Sequence, residues 1–245
     1  MASALIRRLE NSIRDFTDDL MAIIIPDHCI VCSRPLIKGE RHICLYCLSR
    51  LPRTDIHTAD FSPLHQRLAS TSVNIDRIAS WFYYSNGSPY NAIITVAKYA
   101  NRPSLSRMAG RTFAREILRS NFFKGIDMIQ PVPLATIKRF KRGYNQSEQI
   151  AKGISSVTNI PVGNMLVARP HSTQTAKSAY GRFLNSLSVF SAKENAARIA
   201  AGRHILLVDD VLTTGATLLA CAEALTSTVP DIKISVLTIG ATRQI

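Results

Sequence analysis

The stretch from Ile205 to Thr217 leaves this chain few ways to fold. Ile205-Leu206-Leu207-Val208 is an apolar run too short for a helix, and it reads as a buried strand of a parallel sheet. It ends in two adjacent carboxylates, Asp209 and Asp210. A turn rich in threonine and glycine (Thr213-Thr214-Gly215) and a helical segment over 216–225 follow. In such sheets the carboxyl end of a strand opens onto the ligand crevice. The following helix aims unpaired N–H groups and the positive end of its dipole at an anion lying there. Gly215 permits close backbone approach, and the hydroxyls of Thr213, Thr214 and Thr217 can donate to phosphate oxygens. Two carboxylates beside a phosphate cradle are repulsive unless they meet sugar hydroxyls or a metal. The ligand expected is therefore a phosphate with a polyhydroxyl ring next to it, a ribose 5-phosphate. The plainer reading, a strand–turn–helix with an acidic cap, leaves most of the string without a purpose.

The rest of the chain supports an α/β sheet. Strand patterns over 75–84, 127–132, 204–208 and 232–239 alternate with helical patterns over 90–99, from Pro103 onward, 146–157 and 216–225, which predicts parallel strands flanked by helices. The expected organisation is an N-terminal amphipathic helix within 1–25, a cysteine-rich segment over 26–55, a linker over 56–72, and the α/β domain over 73–245.

Cys29-Ile30-Val31-Cys32 and Cys44-Leu45-Tyr46-Cys47 form two CxxC knuckles separated by residues 33–43. Four thiolates on that spacing suit a tetrahedral zinc ion in a closed, structural site. A segment of this size cannot bury enough core to fold alone, and a metal would supply what is missing. Disulfides and a redox CxxC are the alternatives, and two paired knuckles in a cytosolic chain argue against both. The cytosolic expectation rests on Leu20–Ile25 being far too short to span a membrane, and on Glu10, Asp15, Asp18 and Asp19, which a signal peptide would avoid. The fifth thiol, Cys221, falls on a helix and reads as a small buried hydrophobe.

Charge narrows the partners. Thirty Lys and Arg against seventeen Asp and Glu give a net charge of +13, a balance that suits phosphates, nucleic acid or anionic lipid. The surplus is concentrated: eleven basic residues between Lys98 and Arg142 face only Glu116 and Asp127. Arg107, Arg111, Arg115 and Arg119 recur every four residues along one predicted helix, read either as a solvated face or as a surface that follows phosphates. Lys138-Arg139-Phe140-Lys141-Arg142-Gly143-Tyr144 interleaves cations and aromatics, which suits a single strand with Phe140 or Tyr144 stacking a base. The same run also reads as a loop closing over a diphosphate. Lys98 and Arg102 are candidate cations for that diphosphate.

At Asp209–Thr217 the chain resembles the 5-phosphoribosyl 1-diphosphate (PRPP) motif of type I phosphoribosyltransferases. Four features together resemble the ComF family of competence-associated proteins, which includes the GntX-like members: the two CxxC knuckles, Pro131-Val132-Pro133-Leu134, Arg142-Gly143-Tyr144-Asn145-Gln146-Ser147-Glu148, and the Asp-Asp-Val-Leu-Thr-Thr-Gly-Ala-Thr string. Arg169, Thr173-Gln174, Arg182 and Asn185 fit the same pattern, and Ser33 departs from it, standing where the family commonly has glycine. The resemblance implies a type I phosphoribosyltransferase fold behind a zinc ribbon. It implies Asp209 and Asp210 on the ribose hydroxyls as the catalytic pair, and Thr213, Thr214, Gly215, Ala216 and Thr217 on the 5-phosphate. Lys98 would lie on the diphosphate side, with Mg²⁺ accompanying PRPP. The family role implied is DNA uptake in natural transformation through single-stranded DNA, with Lys138, Arg139, Lys141, Arg142, Tyr144, Arg107, Arg111 and Arg115 as candidate contacts and other competence proteins as possible partners. An active phosphoribosyltransferase with no DNA role is the alternative.

Overall fold

A computed structural model describes residues 27–58, 63–68, 73–134, 143–168 and 190–243. The chain divides into two compact units, one ending at Leu51 and the other starting at Pro52.

The first unit is organised by turns around its cysteines. Cys29 N–H donates to Arg34 O, and Ser33 N–H returns to Cys29 O, closing the first knuckle. Ser33 takes the left-handed conformation (φ 61°), which explains why glycine would suit the position. Cys44 caps the short helix α1 (Leu45–Ser49), its sulfur accepting from Cys47 N–H. Glu40 accepts hydrogen bonds from the Leu45 and Ile37 N–H groups and pairs with Arg34, which holds its carboxyl below the usual carboxylate range.

The second unit takes in the described part of the stretch expected as a linker over 56–72. A 3-10 turn at Ile56–Thr58 and helix α2 (Pro63–Arg67) bury Ile56, Leu64 and Leu68, so this stretch contributes core. Strand β1 (Ile75–Tyr84) is followed by helix α3 (Ala92–Tyr99) and helix α4 (Pro103–Ile117). Then come strand β2 (Met128–Pro131), helix α5 (Gln146–Thr158), and two short strands, β3 (Leu166–Ala168) and β4 (Phe190–Ala192), which pair antiparallel. The chain continues through helix α6 (Ala196–Ala200), strand β5 (His204–Leu212), helix α7 (Ala216–Thr226) and strand β6 (Lys233–Thr242). The main sheet runs β1-β6-β5-β2, all parallel. The central strands carry Ile205, Leu206, Leu207, Val208, Val236 and Leu237, all fully buried, as expected of a sheet covered on both faces. Among the described residues, no helix is long and apolar enough to cross a membrane.

Two features depart from the sequence reading. β5 does not stop at Val208 but continues to Leu212, because β6 supplies ladder partners for Asp209, Val211 and Leu212 (Thr238, Gly240 and Ala241). The carboxylate pair therefore sits in the last registers of a strand. The apolar stripe expected on this helix is Leu105, Met108, Thr112, Phe113 and Ile117; the buried face of α4 keeps Leu105, Phe113 and Ile117, leaves Met108 and Thr112 half-buried, and adds Ser106, Ala109, Gly110 and Ala114. These small residues let α5 lie almost backbone to backbone with α4. A Cβ on Gly110 would stand 2.3 Å from Ile150 O, and one on Gly153 would stand 2.2 Å from Arg107 O.

Candidate functional site

The site forms where β5, α3, α5 and the turn before α7 converge. Asp209 and Asp210 are both half-buried. One oxygen of Asp209 accepts from the Ser147 hydroxyl at 2.9 Å and from the Asp210 N–H at 2.8 Å. Asp210 forms an ion pair with Lys98 at 2.9 Å. Lys98, expected to meet a diphosphate, thus holds a carboxylate of the site itself.

Burial pushes the Asp209 carboxyl up to about 7, with the neighbouring Asp210 charge adding to it and hydrogen bonds from the Asp210 N–H and Ser147 only partly opposing. An unfolded aspartate titrates near about 3.9. Between those values the folded chain holds a proton that the unfolded chain has lost, so this group's contribution to stability falls as pH rises from about 4 to about 7. Asp209→Asn, uncharged throughout and still an acceptor for Ser147, is expected to flatten that part of the ligand-free melting profile and to raise the melting temperature most above pH 7. An unchanged profile in thermal scans across this range would contradict the assignment.

The bend beyond the carboxylates is open. Thr213, Thr214 and Thr217 are exposed, and Gly215 takes the left-handed conformation (φ 84°) at the N-cap of α7. The Ala216 N–H donates to Thr214 Oγ1 at 3.4 Å. The carboxylates are half-buried near the end of β5, and the threonines beyond them lie exposed at the start of α7.

α5 steadies this rim. Asn145 caps it, its side-chain oxygen accepting from Ser147 N–H at 3.1 Å while its amide donates to Val132 O at 2.9 Å. Val132 N–H in turn donates to Val208 O. The Pro131-Val132-Pro133 segment, the start of α5 and the end of β5 are thereby tied together. Sequence reasoning gives Asn145 and Ser147 no task of their own, although Asn145 followed three residues later by Glu148 is a helix-start signature. The end of β2 and the first turns of α5 also wall a cavity of about 560 Å³, shared with β3 and the segment leading into it.

One expected contact is corrected. Tyr144, proposed to stack a base, is only 9% exposed, and its hydroxyl donates to Ala97 O. Its ring is committed to packing and offers no face to a nucleobase. Arg107, Arg111 and Arg115 are exposed on α4, with Arg107 donating to Gln149 Oε1 at 2.7 Å. Lys138, Arg139, Phe140, Lys141 and Arg142 lie outside the described residues, as do Arg169, Thr173, Gln174, Arg182 and Asn185 and the expected N-terminal helix. Cys221 is buried, and burial pushes its thiol well up.

Cys29, Cys32, Cys44 and Cys47 come together with their sulfurs all within 4.8 Å of one another. Cys32 Sγ and Cys44 Sγ are 3.8 Å apart. A tetrahedron with metal–sulfur bonds of about 2.3 Å has edges of about 3.8 Å, so the donor set fits a four-thiolate metal site. Burial raises the Cys29 thiol, but backbone N–H groups of Cys44, Cys32 and Val31 bring it down to about 7, whereas burial and the neighbouring thiols push the Cys44 and Cys47 thiols up.

Comparison with known proteins gives two results. Residues 107–244 match the phosphoribosyl transferase domain family. The chain is also similar to three bacterial proteins. It is 27% identical to the DNA utilization protein YhgH of Escherichia coli K12 over 83% of this chain and 92% of that one. It is 33% identical to competence protein F of Haemophilus influenzae over 53% of this chain and 58% of that one. It is 26% identical to competence protein ComFC of Bacillus subtilis over 78% of this chain and 80% of that one.

Proposed function

The chain belongs to the phosphoribosyl transferase domain family, and on that premise we propose that it binds PRPP at the Asp209–Thr217 rim and acts on or with single-stranded DNA in competence or DNA utilisation. The observation that carries the first half is the pairing of two half-buried carboxylates with the exposed threonines Thr213 and Thr214 just ahead of an eleven-residue helix. In this reading the N–H groups at the start of α7 and the hydroxyls of Thr213, Thr214 and Thr217 hold the 5-phosphate. Asp209 and Asp210 hold the ribose hydroxyls as the catalytic pair. Ser147 and Asn145 keep Asp209 in place. PRPP arrival frees Lys98 from Asp210, and the ammonium turns to the diphosphate. Magnesium, a hard cation suited to diphosphate and hydroxyl oxygens, would neutralise the diphosphate. The cavity walled by β2 and α5 leaves room for an acceptor.

The names of the relatives support the second half, and so does the exposed arginine row of α4. The four-cysteine cluster is read as a structural zinc site.

Calorimetric titration tests the binding site. Wild type is expected to bind PRPP in the presence of magnesium, and the double variant Asp209→Asn, Asp210→Asn to bind at least tenfold more weakly, since one charged hydrogen bond is worth about 1.5–3 kcal/mol. Equal affinity would remove both aspartates from the ribose. Diphosphate release measured against bases, nucleosides and DNA then separates a transferase from a binding protein: acceptor-dependent release assigns turnover, and none assigns binding alone.

A further inference from the structure

Of the two rings expected to stack a base, Tyr144 is buried and Phe140 lies outside the described residues, and the described residues offer a further ring as a candidate platform. We propose that Tyr99 is that platform and that it heads a phosphate track formed by Arg102, Arg107, Arg111 and Arg115. The proposal rests on the DNA reading above and deepens it by assigning the stacking residue.

Tyr99 ends α3 and is 79% exposed, more than any other large hydrophobic side chain described. This is not for want of a buried face, because Ile93, Ile94 and Ala97 already seat α3 on the core. So exposed a ring adds little apolar burial to the fold, but it offers a π-face to a base. The preceding residue, Lys98, is bound to Asp210 at 2.9 Å, so the backbone that carries Tyr99 is tied to the proposed phosphoribosyl site.

Three residues separate α3 from α4, and the last of them, Arg102, is exposed at the α4 N-cap. From there Arg107, Arg111 and Arg115 follow on exposed positions. At about 1.5 Å per residue they rise about 6 Å per step, a step of the order of the spacing between successive phosphates of an extended strand. The helix has one carboxylate, Glu116, and it is already engaged: Arg53 grips it with two hydrogen bonds of 2.9 Å, and the Trp81 ring N–H donates to it at 3.0 Å. The arginine row therefore has no acid on its own helix left to neutralise it. Arg107 donates to neutral Gln149 and keeps its charge. Guanidinium groups in a row following an exposed aromatic are the combination that binds single strands, cations on phosphates and a ring on a base. An acidic peptide would use the arginines but has no base for the ring.

The test compares fluorescently labelled oligothymidylate with an abasic strand of the same length, by anisotropy over a range of salt. Wild type is expected to prefer the base-bearing strand by about tenfold, the order of one stacked base. Tyr99→Ala should abolish that preference and leave the salt slope unchanged, whereas Tyr99→Phe should keep it. Arg111→Gln with Arg115→Gln should lower the slope by about 1.4, at about 0.7 for each phosphate no longer neutralised, and leave the preference intact. Both sites are exposed, so the variants should melt with wild type. If wild type binds but Tyr99→Ala still prefers the base-bearing strand, Tyr99 is not the platform while the DNA reading stands. If wild type binds neither strand, both fall. If polyglutamate displaces the strand at equal charge concentration, the surface belongs to an acidic polypeptide and the proposal is overturned.

Discussion

Chelating the zinc proposed for the four-cysteine cluster is expected to melt residues 27–51 as a unit while the α/β unit keeps its protection. The reason is the shortage of core. Among the described residues of this unit, the buried apolar side chains are Cys29, Ile43, Cys44, Cys47 and Leu51, three of them proposed ligands, whereas Ile37, Leu45 and Tyr46 are exposed. The one helix among its described residues has five residues, far below what holds together unaided. A structural zinc contributes on the order of 10 kcal/mol or more to segments of this kind, so its removal exceeds anything the remaining packing can offset. Hydrogen exchange read by mass spectrometry checks this, with zinc release measured alongside. Cys44→Ser should behave like the chelated protein, since Cys44 both supplies a sulfur and caps α1. Full protection of residues 27–51 after chelation would mean that the metal is not what orders them.

Gly153→Ala is the second large effect expected, and its sign is the telling part. Helix propensity alone predicts that alanine in mid-helix stabilises by about 1 kcal/mol. The crossing of α4 and α5 predicts the reverse. A Cβ at Gly153 would lie 2.2 Å from Arg107 O and 2.8 Å from Arg111 N, and one at Gly110 would lie 2.3 Å from Ile150 O. These neighbours are backbone and cannot swing aside, so the helices must separate and open the core between them. Overpacking costs about 1–3 kcal/mol and sometimes more. With backbone as the obstacle we expect the upper end, a fall of roughly 6–12 °C in melting temperature for a unit of this size. Gly110→Ala should do the same, and Ser156→Ala, on the exposed side of α5, should change stability by less than about 0.5 kcal/mol. Thermal denaturation of the three variants decides the matter. Gly153→Ala melting with Ser156→Ala would show that the helices have slack.

What could be read from the sequence was local. The run Ile205–Val208, its carboxylates and the turn after them are contiguous, and the structure passes from a buried strand through half-buried carboxylates to exposed threonines along them. The CxxC spacing and the four-residue arginine period are also short-range patterns, and both correspond to what the fold presents. The rest depended on partners distant in the chain. β5 runs on to Leu212 because β6 lies beside it. Tyr144 looked like part of a basic, exposed run, but its hydroxyl finds a carbonyl 47 residues earlier. Ser147 acquires its role from Asp209, 62 residues away. Gly110 and Gly153 look like weak points in helices until the two backbones are laid against each other. No periodicity encodes such pairings.

The close approach at those two glycines also settles how α4 and α5 move. With no side chain between the backbones at that point, there is nothing compressible to take up a shift, and the pair travels as a single girder. One flank of the girder carries the arginines, and the other ends at the hydroxyl that steadies Asp209. The arginine row and the Ser147 hydroxyl therefore share one rigid support, although they lie on different helices.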